Sequence, residues 1–179
     1  DSDDIKQKIK SNTRLVIINH VSNVIGTVQP VADIGRICRE HGVTFAIDAS
    51  QSAGKVPIDI DKMNIDVLAF TGHKSLMGPT GIGGLYVREG IDIRHTRAGG
   101  TGVRSADRMH LEDYPYRLEY GTGNVMGIAG LHAGLKWIEQ KGIGNIHDHE
   151  MKLAYMARDG LMAVDGVTLH CQDELTDHI

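Results

Sequence analysis

Short apolar runs alternate with amphipathic stretches along the 179 residues of the chain. The apolar runs predict buried strands over 14–18, 43–47, 65–70 and 83–87, with a further strand over 167–170. Apolar residues at helical spacing predict helices over 2–10, 30–42, 124–140 and 144–157. Strands that alternate with helices predict an α/β fold, with a mostly parallel sheet that helices cover on both faces.

Polar residues follow three of these strands at the point where each strand ends. They are Asn19-His20, Asp48 and the run from Thr71 to Lys74. Ligands of parallel α/β sheets bind beyond the carboxyl ends of the strands. The pattern therefore predicts a binding site at one rim of the sheet.

Composition narrows the classes of protein that the chain could represent. With 41% apolar and 23% charged residues, a packed core is expected and global disorder is not. The formal net charge of −4 excludes a strongly basic nucleic-acid binder. No apolar run approaches ~18 residues, so no membrane span is predicted. The two cysteines, Cys38 and Cys171, fit a reducing compartment, and we expect a cytoplasmic protein.

Lys74 is the first candidate for chemistry, because it follows a predicted strand and precedes a glycine-rich run over 78–84. Most loop lysines are simply solvated. A lysine near apolar or cationic neighbours loses its proton more easily, and its free amine can then attack an aldehyde. The position of Lys74 raises the hypothesis of a Schiff-base lysine, with His73 as a second titratable group.

Asp48 is the second candidate, and it has two interpretations. A carboxylate after a strand often caps the next helix or turn. It can also keep a pyridine nitrogen protonated, so that a bound ring acts as an electron sink. Gln51 comes three residues later and could donate a hydrogen bond to a phenolate oxygen of the same ring.

Other motifs carry less weight. Tyr86 and Met126 stand where a dinucleotide fingerprint needs its third glycine, and no Walker pattern occurs. The run 121–123 could still bind an anion at the start of the predicted helix. The cluster 147–150 contains His, Asp, His and Glu, but neighbours two apart on a helix do not share a face. No metal site is therefore predicted.

Taken together, several segments resemble one known family, in the same order as in that family. They are the runs 20–27 (HVSNVIGT), 48–51 (DASQ), 71–74 (TGHK), 78–83 (GPTGIG) and 118–124 (LEYGTGN). They are similar to the cysteine desulfurase branch of the class V aminotransferases, which are pyridoxal-phosphate enzymes of fold type I. The resemblance covers about residues 14 to 142. A histidine directly before the lysine favours this branch over the phosphoserine aminotransferases.

The resemblance implies a role for each matching residue. Lys74 would hold pyridoxal 5'-phosphate covalently and later move the α-proton of the substrate, and Asp48 would bind the pyridinium nitrogen. Gln51 and Asn23 would lie near the phenolic oxygen. Thr71 and His73 would bind the phosphate, with His73 also counted as catalytic. Thr122 would reach the phosphate of a neighbouring subunit, which implies a homodimer.

The resemblance also implies features that this chain does not supply. The ring-stacking residue would lie before Asp1, and the persulfide cysteine and the carboxylate-binding arginine would lie further along a longer chain. We therefore expect a fragment: residues 1–142 as part of the large domain and 143–179 as the start of the small domain. Such a fragment alone is expected to be inactive. Cys38 and Cys171 do not stand at the position of the persulfide cysteine.

The implied reaction is the release of sulfur from L-cysteine to give alanine through an enzyme persulfide, with a sulfur-acceptor protein as an expected partner. Another class V enzyme, such as a selenocysteine lyase, an aminotransferase or an epimerase, stays open. A different class of protein is a non-enzymatic α/β domain that binds an anion or a nucleotide.

Overall fold

The first half of the chain contains two short helices and four strands, and two long helices follow. The computed structural model describes residues 2–104 and 106–170. The helices are α1 (Ser2–Lys8), α2 (Val31–Glu40), α3 (Val125–Lys141) and α4 (Ile143–Met162), with a 3₁₀ turn at Tyr116–Leu118. The strands are β1 (Leu15–Asn19), β2 (Thr44–Asp48), β3 (Val67–Thr71) and β4 (Gly83–Val87).

The four strands form one sheet in the order β1-β2-β3-β4. Strands β1, β2 and β3 run parallel, whereas β4 runs antiparallel to β3. The register places Asn19 beside Asp48, and Asp48 beside Ala69. The predicted α/β class with a mostly parallel sheet is confirmed, and three strands end at the same rim.

The core lies between α2 and one face of the sheet. Phe45 and Ile47 of β2 are 0% and 2% exposed and pack against the apolar side of α2. Gly35 allows α2 to approach closely, because a Cβ there would lie 1.9 Å from the carbonyl oxygen of Met63. Burial of large apolar side chains contributes roughly 1.5–3 kcal/mol each, so this layer holds the strands that carry the rim.

The opposite face of β1 differs from the prediction of a sheet covered on both sides. Leu15 and Ile17 are 47% and 65% exposed, and Leu85 of β4 is 48% exposed. Val16 and Ile18, which alternate with them, pack against the core. The run 14–18 was therefore wrongly predicted as a strand buried on both faces, because an apolar run does not reveal which residues cover each face.

The largest remaining differences from the sequence-based expectation concern α4 and residues 167–170. Helix α4 begins at Ile143, one residue after Gly142, and continues to Met162. Residues 167–170 form no strand, so that prediction is wrong. Cys171 lies outside the described residues.

Candidate active site at the carboxyl rim of the sheet

A cavity of about 230 Å³ opens at the carboxyl ends of β1 and β2. Its lining residues are Asn19, Val21, Asn23, Asp48, Ser50, Gln51 and Lys74. The parallel register explains their convergence, since β1 and β2 end side by side at Asn19 and Asp48. Four residues predicted from the sequence, namely Lys74, Asp48, Gln51 and Asn23, are thus brought to one cavity.

Asp48 combines two functions at the end of β2. Its Oδ1 accepts a hydrogen bond from the backbone N–H of Ser50 at 2.8 Å, which starts the turn that carries Gln51. The backbone N–H of Ala49 donates to Ala69 at 2.8 Å and holds this turn against β3. The carboxylate therefore caps the turn, as one interpretation of the sequence predicted, and also lines the cavity.

The loop that carries Lys74 is folded back on itself. The N–H of Gly72 donates to Ile82 at 2.8 Å, and the N–H of Gly78 donates to Gly72 at 2.8 Å. A Cβ on Gly72 would lie 2.7 Å from the Ile82 side chain. The glycines are thus required by close packing, and Lys74 itself is exposed at the cavity.

Thr71 and His73 form a pair beside this loop. The Oγ1 of Thr71 and the Nδ1 of His73 lie 2.8 Å apart. Neither residue lines the cavity that contains Lys74. The structure therefore places two hydrogen-bonding side chains next to the site, outside its wall.

The start of α3 is fastened to the glycine-rich loop by Asn124. Its Oδ1 accepts from the N–H of Gly127 at 2.9 Å, and its Nδ2 donates to the carbonyl of Gly81 at 3.0 Å. Asn124 thus caps the helix and joins it to the loop. Thr122, two residues earlier, is exposed and does not line the cavity.

Small residues let α3 pack closely on the Lys74 loop. A Cβ on Gly130 would lie 2.7 Å from Pro79, and one on Gly134 would lie 2.4 Å from the carbonyl oxygen of Leu76. The helix therefore supports the loop directly, and only glycine permits this distance.

A larger cavity of about 560 Å³ adjoins the first and shares Val21, Asn23 and Gln51 with it. Lys55 lies on its wall and pairs with Glu150 of α4, with Nζ and Oε2 3.1 Å apart. Sequence reasoning missed Lys55 and Glu150 because 94 intervening positions give no sign of their contact. It also gave no role to Asn19 or Ser50, although Asn19 had been placed at the rim.

Cys38 is excluded as a nucleophile at this site. The residue is 0% exposed, and it packs in the core between α2 and the sheet. Burial, helped by the nearby Asp66, raises the pKa of the Cys38 thiol to about 11. A thiol in that state carries almost no thiolate at neutral pH, and the thiolate is the reactive form.

Two kinds of feature are absent from residues 2–104 and 106–170. No group of three or more His, Cys, Asp or Glu side chains is arranged to hold a metal ion. Within the same residues, no helix is long and apolar enough to cross a membrane.

Comparisons with known proteins agree on one family. The model of the family "Aminotransferase class-V" matches residues 1–178. A probable cysteine desulfurase of Pyrococcus abyssi is 41% identical over 88% of this chain and 40% of its own length. The apo structure of a cysteine desulfurase from Thermococcus onnurineus aligns with a TM-score of 0.83 at 36% identity, covering 99% of this chain and 45% of that one.

A third relative was solved with a bound amino acid. The structure entitled "SspA in complex with cysteine" aligns with a TM-score of 0.65 at 37% identity, covering 76% of this chain and 36% of that one. In each case the chain spans about two fifths of the protein that it matches.

Proposed function

Because this chain belongs to the class V aminotransferase family, we propose that it forms the cofactor-binding part of a cysteine desulfurase that uses pyridoxal 5'-phosphate. The observation that carries the proposal is the cavity that brings Lys74, Asp48, Gln51 and Asn23 together. The proposed reaction releases sulfur from L-cysteine and leaves alanine.

The residues of this cavity fit the cofactor by their chemistry. They include a primary amine that can bond to an aldehyde, a carboxylate and two side-chain amides. Pyridoxal 5'-phosphate, when bound, supplies an electron sink for the carbon that loses its proton. Lys74 would hold the cofactor covalently and then accept the α-proton of the substrate at Nζ.

The other residues would orient the ring. The Asp48 carboxylate would keep a proton on the ring nitrogen, because an adjacent negative charge favours the protonated form. Gln51 and Asn23 would donate hydrogen bonds to the phenolic oxygen. Thr71 and His73 would bind the phosphate from their position beside the cavity.

Subunit contacts are part of the same proposal. Thr122 does not line the cavity that contains Lys74, which agrees with a role toward the phosphate of a second subunit. We propose a homodimer in which the exposed start of α3 faces the partner's site. A sulfur-acceptor protein would receive the product of each turnover.

The sulfur step requires a second thiol. A thiolate would attack the sulfur of cysteine, so that an S–S bond forms while the C–S bond breaks. The electron pair of the broken bond would stay with the substrate carbon, which takes up a proton and becomes the methyl group of alanine. Cys38 is buried and protonated, so it cannot supply this thiolate. We propose that the nucleophile lies outside the described residues, and that the arginine for the substrate carboxylate does also.

We further propose that a domain boundary lies between residues 142 and 143. Gly142 ends α3 and precedes α4, with a φ of 81° that suits glycine. None of the residues of α4 is fully buried.

The free thiol of Cys38 supports a cytoplasmic location, where cysteines stay reduced.

Borohydride reduction of the full-length protein loaded with pyridoxal phosphate tests the assignment. Mass spectrometry should find the pyridoxyl group on Lys74, and Lys74→Ala should abolish both the label and turnover. Lys62→Ala is the matched control, because Lys62 is a surface lysine paired with Asp59. Label on Lys55 or Lys62 would refute the assignment.

The reaction type needs a separate measurement on the same preparation. A desulfurase should release sulfide and alanine from L-cysteine in the presence of a reductant. Formation of a keto acid instead would identify an aminotransferase. If the protein binds the cofactor but releases no sulfide from L-cysteine, it would have another activity of the same family.

A further inference from the structure

A buried hydrogen bond joins His20 to Ser52 next to the cavity wall. The Nδ1 of His20 and the Oγ of Ser52 lie 2.9 Å apart. His20 is 2% exposed and Ser52 is 0% exposed. Among residues 2–104 and 106–170, only these two and Ser75 are buried polar residues. A buried polar group without a partner is costly, so each of the two satisfies the other.

The backbone of His20 connects two more segments to this bond. Its N–H donates to the carbonyl of Asp48 at 2.9 Å, and its carbonyl accepts from the N–H of Gln29 at 2.8 Å. His20 therefore ties the end of β1 to the end of β2. Through the bond from Gln29, it also connects both strand ends to the end of the loop that carries Asn23.

Ser52 occupies the centre of the turn that carries Gln51. Its N–H donates to the carbonyl of Ala49 at 3.1 Å, and its carbonyl accepts from the N–H groups of Lys55 and Val56 at 3.0 and 2.9 Å. The bond to His20 thus anchors this whole turn to β1. Gln51, the neighbour of Ser52 in sequence, lines the cavity.

The protons of this network are consistent with a neutral histidine. The Ser52 hydroxyl also lies 3.4 Å from the carbonyl of Ala49, to which it can donate. Either the Nδ1–H of His20 donates to the Ser52 hydroxyl or that hydroxyl donates to Nδ1, according to the tautomer of the neutral imidazole. Burial lowers the pKa of His20, which keeps the imidazole neutral near pH 7.

We propose that His20 and Ser52 act as one positioning unit, which sets where Asp48 and Gln51 stand relative to Lys74. Neither side chain lines the cavity, so both act through their neighbours. The proposal rests on the proposed function, because the relative placement of these groups matters only if they share one bound ring.

Four variants of the full-length protein test this unit. His20→Leu and Ser52→Ala each remove one side of the bond, and the double variant removes both. His20→Asn retains a side-chain group that can donate or accept near the position of Nδ1. Ile65→Val is the matched control, because Ile65 is 0% exposed in the same core and lines no part of the cavity.

Three quantities are measured for each variant: the dissociation constant of pyridoxal phosphate from the apo-protein, the pH at which the visible band of the bound cofactor changes, and the melting temperature. We expect His20→Leu and Ser52→Ala each to weaken cofactor binding about tenfold and to shift the band's pH midpoint. The double variant should be no weaker than either single variant, because the two residues act as a unit. His20→Asn should recover most of the loss.

Two results would overturn the proposal. One is a pair of losses that simply add in the double variant. The other is a set of variants that behave like Ile65→Val, with a lower melting temperature but unchanged cofactor affinity and band. Ser52→Ala removes only one oxygen atom. If His20→Leu does not fold, the same measurements on Ser52→Ala decide the proposal.

Cofactor binding by the wild-type protein distinguishes a failure of the positioning role from a failure of the proposed function. If the wild type takes up no pyridoxal phosphate, the proposed function is wrong and the positioning role falls with it. If the wild type binds the cofactor and the variants match the control, only the positioning role is wrong.

Discussion

At the residue scale, Asp48 illustrates how one side chain can satisfy a structural and a chemical demand. Its Oδ1 accepts from the Ser50 N–H, while the carboxylate also faces the cavity with Lys74. An asparagine at this position keeps an acceptor oxygen for Ser50 but loses the negative charge. The substitution therefore separates the two functions.

Asp48→Asn should leave the melting temperature nearly unchanged and should retain most of the bound cofactor. Turnover should fall about 100-fold, because an adjacent charge of this kind shifts a pKa by about 1–3 units, each worth a factor of ten. Steady-state sulfide release and cofactor titration measure the two effects. Turnover close to that of the wild type would show that Asp48 is only a cap.

Cys38 gives a prediction about stability and pH. Its pKa is raised from 9.0 to about 11, so the folded state favours the protonated thiol. The contribution of this protonated thiol to the free energy of unfolding is complete below pH 9. Between pH 9 and 11 the unfolded chain loses the proton first, and stability falls by up to about 1.4 kcal/mol per pH unit.

Urea unfolding of the wild type and of Cys38→Ala between pH 8 and 10, with a reductant present, measures this contribution. Cys38→Ala should lower stability at pH 8 by about 1 kcal/mol because it leaves a small cavity. Its stability should then fall less steeply with pH than that of the wild type. Parallel pH profiles for the two proteins would contradict the buried, protonated thiol.

At the scale of elements, α3 acts as the support of the Lys74 loop. The contact depends on helical glycines, since a Cβ on Gly134 would lie 2.4 Å from the backbone oxygen of Leu76. Gly160 of α4 is also helical, but nothing lies within 4 Å of the position its Cβ would take. The two glycines are therefore a matched pair for one substitution.

Gly134→Ala should destabilise the protein by about 1–3 kcal/mol, because overpacking forces the backbone to move. It should also weaken cofactor binding, since the loop that moves carries Lys74. Gly160→Ala should stabilise by about 0.5–1 kcal/mol through helix propensity alone and leave binding unchanged. Thermal melts and cofactor titration of both variants test the contrast, and equal effects would show that α3 does not support the loop.

At the scale of the whole molecule, helix α2 covers one face of the sheet, and apolar side chains are exposed on the other face. The core beneath α2 fixes β1, β2 and β3, while Leu15, Ile17 and Leu85 remain exposed on the second face. The chain spans about two fifths of the relatives it matches. The described residues therefore supply the rim that carries the candidate site, together with the helix layer on one face of the sheet.

The sequence by itself determined the elements and the main chemistry of the site. Periodicity located α1 to α4 and β1 to β4 to within five residues at each end, because side-chain spacing is a local property of each segment, but it also predicted a strand over 167–170 that does not form. Lys74, Asp48 and their polar neighbours followed strand ends, and the order of the segments identified the family before any geometry was known. Parallel strands then bring their ends together as a matter of topology.

Only the tertiary structure decided which side chains meet and which face remains open. The bond between His20 and Ser52, the pairing of Lys55 with Glu150 and the close approach of Gly134 to Leu76 join residues far apart in sequence. The same holds for the buried thiol of Cys38, whose pKa depends on the packing around it. These contacts depend on strand register and helix packing, and both are set by the whole core and not by any local pattern.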